Sequence, residues 1–210
     1  MAGSNKKVYT IFAGINGAGK STLYHSLNKE IYGVRLNSDE VLAQSGGDWK
    51  NSNDQFHAGK SVIALQVECF NKGLSMNRET TVGGLSINRS IKMARDRGYE
   101  VNLFFVGIDS LELAKSRVFK RVAFGGHGVK EDVMDIRYNM LNKTIAELVC
   151  KCDNVKFYDN SKENIELVAF GNSKNIYKTK DDCKWLDELL KAIELENERL
   201  ASSQSNEPTM

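Results

Sequence analysis

Gly14-Ile15-Asn16-Gly17-Ala18-Gly19-Lys20-Ser21, continued by Thr22, is the stretch whose reading decides the fold. It follows an apolar run, Val8-Tyr9-Thr10-Ile11-Phe12-Ala13, and leads into a segment of helical character from Ser21 to Leu27. A strand, a glycine-rich loop and a helix start are the context in which the spacing G-x-x-x-x-G-K-S/T makes a phosphate-binding P-loop. Glycines let backbone N–H groups converge on phosphate oxygens, and the helix start adds positive potential. Lys20 is expected to reach the β- and γ-phosphates, and Ser21 Oγ to ligate Mg²⁺. Gly14, Asn16, Gly17, Ala18, Gly19, Lys20, Ser21 and Thr22 are thus the expected contacts of a nucleoside triphosphate. The plainer alternative is a strand-to-helix turn that binds nothing.

The rest of the composition sets bounds. A chain of 210 residues suits one α/β domain, expected over residues 1–200, with 201–210 as a disordered tail holding the single proline, Pro208. The 29 basic and 27 acidic residues leave a formal charge of +2. That supplies no field to attract nucleic acid. No run approaches the ~18 apolar residues of a membrane span, and the first seven residues lack a signal core, so a cytoplasmic protein without membrane contact is expected. Cys150-Lys-Cys152 is one residue short of C-x-x-C and has no second pair, which argues against zinc, and Cys69 reads as core.

Beyond the loop, Gly33–Asn37 reads as a second strand and Ser38-Asp39-Glu40 as its exit into a helix. Residues 45–52 read as a loop. A helix is expected from about Asp54 to Lys72, with Phe56, Ile63, Val67 and Phe70 at helical spacing. Ser75–Thr80 is a third extended segment, running into Thr81-Val82-Gly83-Gly84. A helix over about 86–97 and a buried strand over Tyr99–Ile108 follow. Asp109-Ser110 caps the next helix, which meets the break Phe124-Gly125-Gly126-His127-Gly128. A single helix is expected from about Lys130 to Val149, a strand at 155–158, two short strands at 165–170 and 175–178, and a last helix from Asp181 to about Leu200. Alternating strands and helices predict an α/β P-loop NTPase three-layer sandwich: a mainly parallel sheet, helices on both faces, and a helical lid at about 117–140.

In open parallel sheets, ligands gather at the carboxyl ends of the strands. Asp39 stands at such an end, where a carboxylate could take the proton of an attacking hydroxyl. Ser38 and Asp39 are equally typical helix N-caps. Arg78-Glu79-Thr80-Thr81 ends the third strand, and Glu79 could orient a substrate hydroxyl or hold Mg²⁺ through water. Arg117 and Arg121 share a helical face, and Arg137 returns from the next helix across the glycine break. Two arginine-bearing helices joined in this way resemble a kinase lid, though each arginine could equally be a solvated surface charge. Lys115, Lys120 and Lys130 read as surface charges. His25 and His57 read as helix-surface residues.

Taken together, Gly-Ile-Asn-Gly-Ala-Gly-Lys-Ser-Thr, Asn37-Ser38-Asp39, Glu79-Thr80-Thr81, and Arg121-Val-Ala-Phe-Gly-Gly-His-Gly-Val with Arg137-Tyr138 resemble the zeta toxin family of P-loop kinases and its zeta-like or AAA-type relatives. The resemblance covers about residues 7–161. It implies ATP and Mg²⁺ as cofactors and transfer of the γ-phosphate to a hydroxyl of UDP-N-acetylglucosamine. Asp39 would then be the base, Glu79 and Thr81 would hold the sugar nucleotide with Asp39, and Arg121 and Arg137 would clamp the phosphates. Asn160, in the Asp159-Asn160-Ser161 turn, would sit where the adenine lies. An antitoxin protein is the partner the resemblance brings with it. A nucleoside, nucleotide or other small-alcohol kinase would share this architecture. A nucleotide-dependent regulatory switch is the alternative of another class, against which no N-K-x-D-like motif is found.

Overall fold

The apolar run Val8–Ala13 forms a strand, β1, buried from Tyr9 onward. Burial on both sides is what a central parallel strand demands. The computed structural model describes residues 6–81 and 85–205; the expected turn at Val82-Gly83-Gly84 and residues 206–210 lie outside the described residues. In chain order, β1 is followed by α1 (Lys20–Ser26), a 3₁₀ turn (Lys29–Tyr32), β2 (Val34–Leu36), α2 (Ser38–Gln44) and α3 (Ser52–Lys72). Next come β3 (Met76–Thr80), α4 (Leu85–Asp96), β4 (Glu100–Gly107), α5 (Leu111–Ala123), α6 (Glu131–Asn139) and α7 (Leu141–Val149). The chain closes with β5 (Asn154–Asp159), β6 (Glu166–Gly171), β7 (Ile176–Lys178) and α8 (Lys184–Ser205).

The seven strands form one sheet in the order β2-β3-β1-β4-β5-β6-β7. The first five run parallel, and β6 and β7 add antiparallel. Side chains alternate between faces along a strand, so the two sides can be separated residue by residue. Phe12 packs edge-on against Tyr24 of α1, whereas Tyr9, three residues earlier, meets Phe70 of α3. Phe105 of β4, on the Tyr9 side, meets Trp185 of α8. Helices therefore cover both faces, as an α/β P-loop NTPase fold requires. Among the described residues, no helix is long and apolar enough to cross a membrane.

Where β4 ends, the Trp185 indole lies over Gly107, and a Cβ built there would sit 2.4 Å from the ring. Gly107→Ala should thus lower stability by about 1–3 kcal/mol through overpacking, read as a drop in thermal midpoint.

Three local expectations need correcting. In α3 the buried positions are Ala58, Val62, Gln66, Cys69 and Phe70, while Phe56, Ile63 and Val67 face solvent. The helix turns Gln66 inward instead, where its Oε1 accepts from Arg78 and Ser90. The expected helix 130–149 is two: Met140, with ψ near zero, separates α6 from α7. The asparagines at 139 and 142 are weak helix formers that favour such a junction. Finally, α8 continues through Ser205, five residues into the stretch expected to be disordered. One turn before that stretch, Asn197 ties the helix to the β6–β7 turn, donating to Ser173 O at 2.7 Å.

Candidate active site

The P-loop emerges between β1 and α1 with Gly17 and Gly19 at positive φ, 81° and 100°. Neither can carry a side chain: a Cβ on Gly17 would lie 2.3 Å from Ala114 O, and one on Gly19 2.1 Å from Asn160 Nδ2. Lys20 is buried, and its Nζ donates to Ile15 O at 3.0 Å, folding the amine back over the loop. Burial pulls its pKa down, while the carboxylates of Glu79 and Asp39 oppose that shift. Asn160 braces the loop from outside: its Nδ2 donates to Ala18 O at 2.7 Å, and its own backbone carbonyl accepts from Arg117 Nη1 at 2.7 Å. The amide group expected to meet the adenine is thus engaged with the loop backbone.

Glu79 is the hub of the opposite wall. One step along β3, from Arg78 to Glu79, moves from the face of α3 to that of α1. The Glu79 carboxylate accepts from Ser21 Oγ at 2.9 Å, Arg35 Nη2 at 2.6 Å and Asn37 Nδ2 at 3.2 Å, and lies 3.9 Å from Lys20 Nζ. Arg35 is shared with Glu40 and stacks over the Tyr24 ring, 3.8 Å from its centroid. Removing the carboxylate would leave two nearly buried cations poorly compensated. We expect Glu79→Ala to cost about 2–3 kcal/mol, measured as a lowered urea midpoint at unchanged m-value.

The N-cap of α2 is neither Ser38 nor Asp39. Asn37 takes that role, its Oδ1 accepting from Asp39 N at 3.0 Å. The Asp39 carboxylate is therefore free for other work and projects into the cavity. Its near neighbour is His127 Nε2, 3.6 Å from Asp39 Oδ1. His127 comes from the α5–α6 loop and lies against Trp49. Burial lowers the His127 pKa, Asp39 raises it and Arg121 lowers it again. From α6, Arg137 Nη1 donates to Asn16 Oδ1 at 2.6 Å, placing the α6 arm directly on the P-loop. Lys115, expected as a surface charge, pairs across α5 and α6 with Asp135 at 2.7 Å, both side chains reaching solvent.

Lys20, Ser21, Asn37, Asp39, Glu79 and His127, with Arg117, Arg121, Arg137 and Asn160, line one cavity of about 1140 Å³ at the carboxyl ends of the parallel strands; Arg35 and Glu40 stand behind its wall. Ligand pockets run to about 300–1,000 Å³, so this one stands at the top of that range. The expected site residues Asn16, Gly17, Gly19, Lys20, Ser21, Thr22, Asp39, Glu79, Thr81, Arg121, Arg137 and Asn160 all lie on its wall. Gly14 and Ala18 do not; both are buried behind the loop. Sequence reading missed Arg35, whose position inside a short strand called for a buried counter-ion. It also gave no role to residues 45–57, from which Trp49, Lys50 and Gln55 wall the cavity.

Residues 10–140 match the model of the AAA_33 family, described as an AAA domain. The chain belongs to this family. A relative in Haemophilus influenzae, an uncharacterized protein, is 32% identical over 134 residues, 64% of this chain and 93% of the relative. Among solved structures, the AAA_33 chain is similar to one from the PezAT chromosomal toxin–antitoxin system of Streptococcus pneumoniae. The identity is 19%, the TM-score 0.62, and the match covers 94% of this chain and 88% of the other. It is also similar to the AvrRxo1-ORF1:AvrRxo1-ORF2 complex with ATP, at 15% identity and a TM-score of 0.64, over 88% of this chain and 64% of that one. These likenesses establish the P-loop fold, with the AAA_33 match ending just after the α6 arm that carries Arg137.

Proposed function

We propose that the protein is a Mg²⁺- and ATP-dependent kinase that transfers the γ-phosphate to a hydroxyl of a small molecule. A nucleotide sugar such as UDP-N-acetylglucosamine is the first acceptor to test. One observation carries the reading: a carboxylate not used as a helix cap, Asp39, shares one large cavity with the P-loop lysine and with arginines from α5 and α6. Asp39 takes the acceptor hydroxyl's proton as its oxygen forms a bond to the γ-phosphorus. The bond from that phosphorus to the β–γ bridging oxygen breaks, and ADP leaves. Lys20, Arg121 and Arg137 face the charge that develops on the phosphoryl oxygens, the contribution on which such transfer chiefly depends.

The donor set fits Mg²⁺, a hard cation that takes a few protein oxygens and leaves its other positions to water and phosphate. Ser21 Oγ would ligate it and Glu79, 2.9 Å from that hydroxyl, would hold its water shell. The ion would supply charge neutralisation between the β- and γ-phosphates. Glu79 and Thr81 would also border the acceptor. The likeness to a toxin–antitoxin component is one of fold, so the proposal names a chemistry and not a toxic role; an antitoxin partner would be sought by co-purification.

The test is incubation with Mg-ATP and a panel of nucleotide sugars, nucleosides and simple sugars, with products read by mass spectrometry. A phosphorylated nucleotide sugar is the expected result. Phosphorylation confined to nucleosides or simple sugars would replace the acceptor class. ADP release with no phosphorylated acceptor would overturn the kinase reading in favour of a nucleotide-dependent switch.

A further inference from the structure

The cavity carries more positive charge than one nucleotide accounts for. Seven lysine and arginine side chains line it against two acidic ones, Asp39 and Glu79. A magnesium-bound triphosphate offsets only part of that excess, and its phosphates lie with the P-loop, Arg117, Arg121 and Arg137. Arg78 stands apart from that group. It belongs to β3, on the other side of β1 from β4 and β5, and its side chain leaves the sheet on the face opposite Glu79. Ser86 of α4, which accepts from Arg78, lines the cavity with it.

The surroundings of Arg78 are built to hold a cation without neutralising it. Its Nη1 donates to Gln66 Oε1 at 3.2 Å and Ser90 Oγ at 3.0 Å, and its Nη2 to Ser86 Oγ at 3.4 Å. All three acceptors are neutral, and among the described residues no carboxylate lies within ion-pair distance of Arg78. Gln66 and Ser90 are themselves buried, and the Gln66 amide nitrogen has no hydrogen-bond partner. Arg78 is half-buried, opening on the cavity, and a carboxylate at position 66 would have been the simple way to pair it. Its place is held by the neutral isostere, which fixes the guanidinium and leaves its charge unspent.

We propose that Arg78 is the anion-recognising residue of the acceptor half of the cavity, and that the acceptor carries a phosphate or carboxylate group that completes the missing ion pair. The inference rests on the kinase reading for the word acceptor, and on the charge inventory for the rest. An arginine fork matches the oxygens of either anion in a bidentate way, and hydrogen bonds to charged groups are roughly twice as strong as neutral ones.

The experiment loads the P-loop with Mg²⁺ and a non-hydrolysable ATP analogue. It then titrates matched acceptors by calorimetry: N-acetylglucosamine, its 1-phosphate and UDP-N-acetylglucosamine, with glycerol against glycerol 3-phosphate and glycerate. At least one anionic member should bind about tenfold or more tightly than its neutral counterpart, with an affinity that falls as salt rises. Arg78→Gln should abolish that preference and leave the analogue's affinity within about twofold. Gln66→Glu keeps the arginine and supplies the counter-ion, so it should abolish the preference too; it also serves if Arg78→Gln fails to fold. Equal binding of charged and neutral members, no binding by any of them, or an anionic preference that survives both variants overturns the proposal. Transfer from ATP is scored separately. Anion binding through Arg78 without transfer would fell the kinase reading alone, and transfer without charge preference would fell this one alone.

Discussion

Asp39→Asn should lower kcat for phosphoryl transfer by about 10²–10⁴-fold, the range for loss of a positioned general base. The substitution is close to isosteric, and the α2 cap belongs to Asn37, whose Oδ1 accepts from the backbone N–H of residue 39 whatever side chain stands there. The fold and the P-loop should therefore be untouched, and the KM for ATP should stay within about threefold. The contact that changes is the one with His127 Nε2 at 3.6 Å. Steady-state kinetics at saturating ATP read the effect directly. If the D39N variant stayed within about tenfold of the parent, Asp39 would lose the base role and remain a polar wall of the cavity.

Lys20→Met should reduce transfer by on the order of 10³-fold or more, and in a different way. Lys20 is buried in the cavity floor, with its amine on Ile15 O and the Glu79 carboxylate 3.9 Å away. Methionine fills the same space without the charge, so the loss should fall on both nucleotide affinity and kcat. The burial that lowers the Lys20 pKa also means that removing the amine relieves a desolvation cost. Stability should hold or rise slightly, and a higher thermal midpoint beside a lost activity would separate the chemical role from a structural one. Equilibrium binding of a fluorescent ATP analogue gives the affinity part, and single-turnover transfer gives the rest.

What the sequence made legible and what it hid divide along physical lines. Local signals survived: the glycine spacing of the P-loop, the two-sided apolar run of β4, and the strand-end position of Asp39 all depend on neighbours within a few residues. Long-range pairings did not. Nothing near Arg35 announces Glu79, 44 positions away, as its partner. Helix α3 shows the same limit: Phe56 and Ile63 look like its core, yet the buried position is Gln66, whose oxygen accepts from Arg78 on the sheet face beneath it. Asp39 was an ambiguous cap until Asn37 was seen to hold that place. Trp49 had no local pattern at all, and in the cavity wall it lies against His127, far along the chain.

The single-residue junction at Met140 divides the chain mechanically. On its C-terminal side, Leu141, Ile145, Ala146, Leu148 and Val149 are all buried, tying α7 into the core under α8. On its N-terminal side, α6 buries Met134 and no other residue. Segments with so little apolar anchorage open at a small fraction of the global unfolding free energy. Arg137 rides on α6, one turn before the exposed junction at Met140, beyond which α7 is anchored in the core. On the proposed function, its grip on Asn16 is the contact expected to open first, leaving the sheet beneath undisturbed.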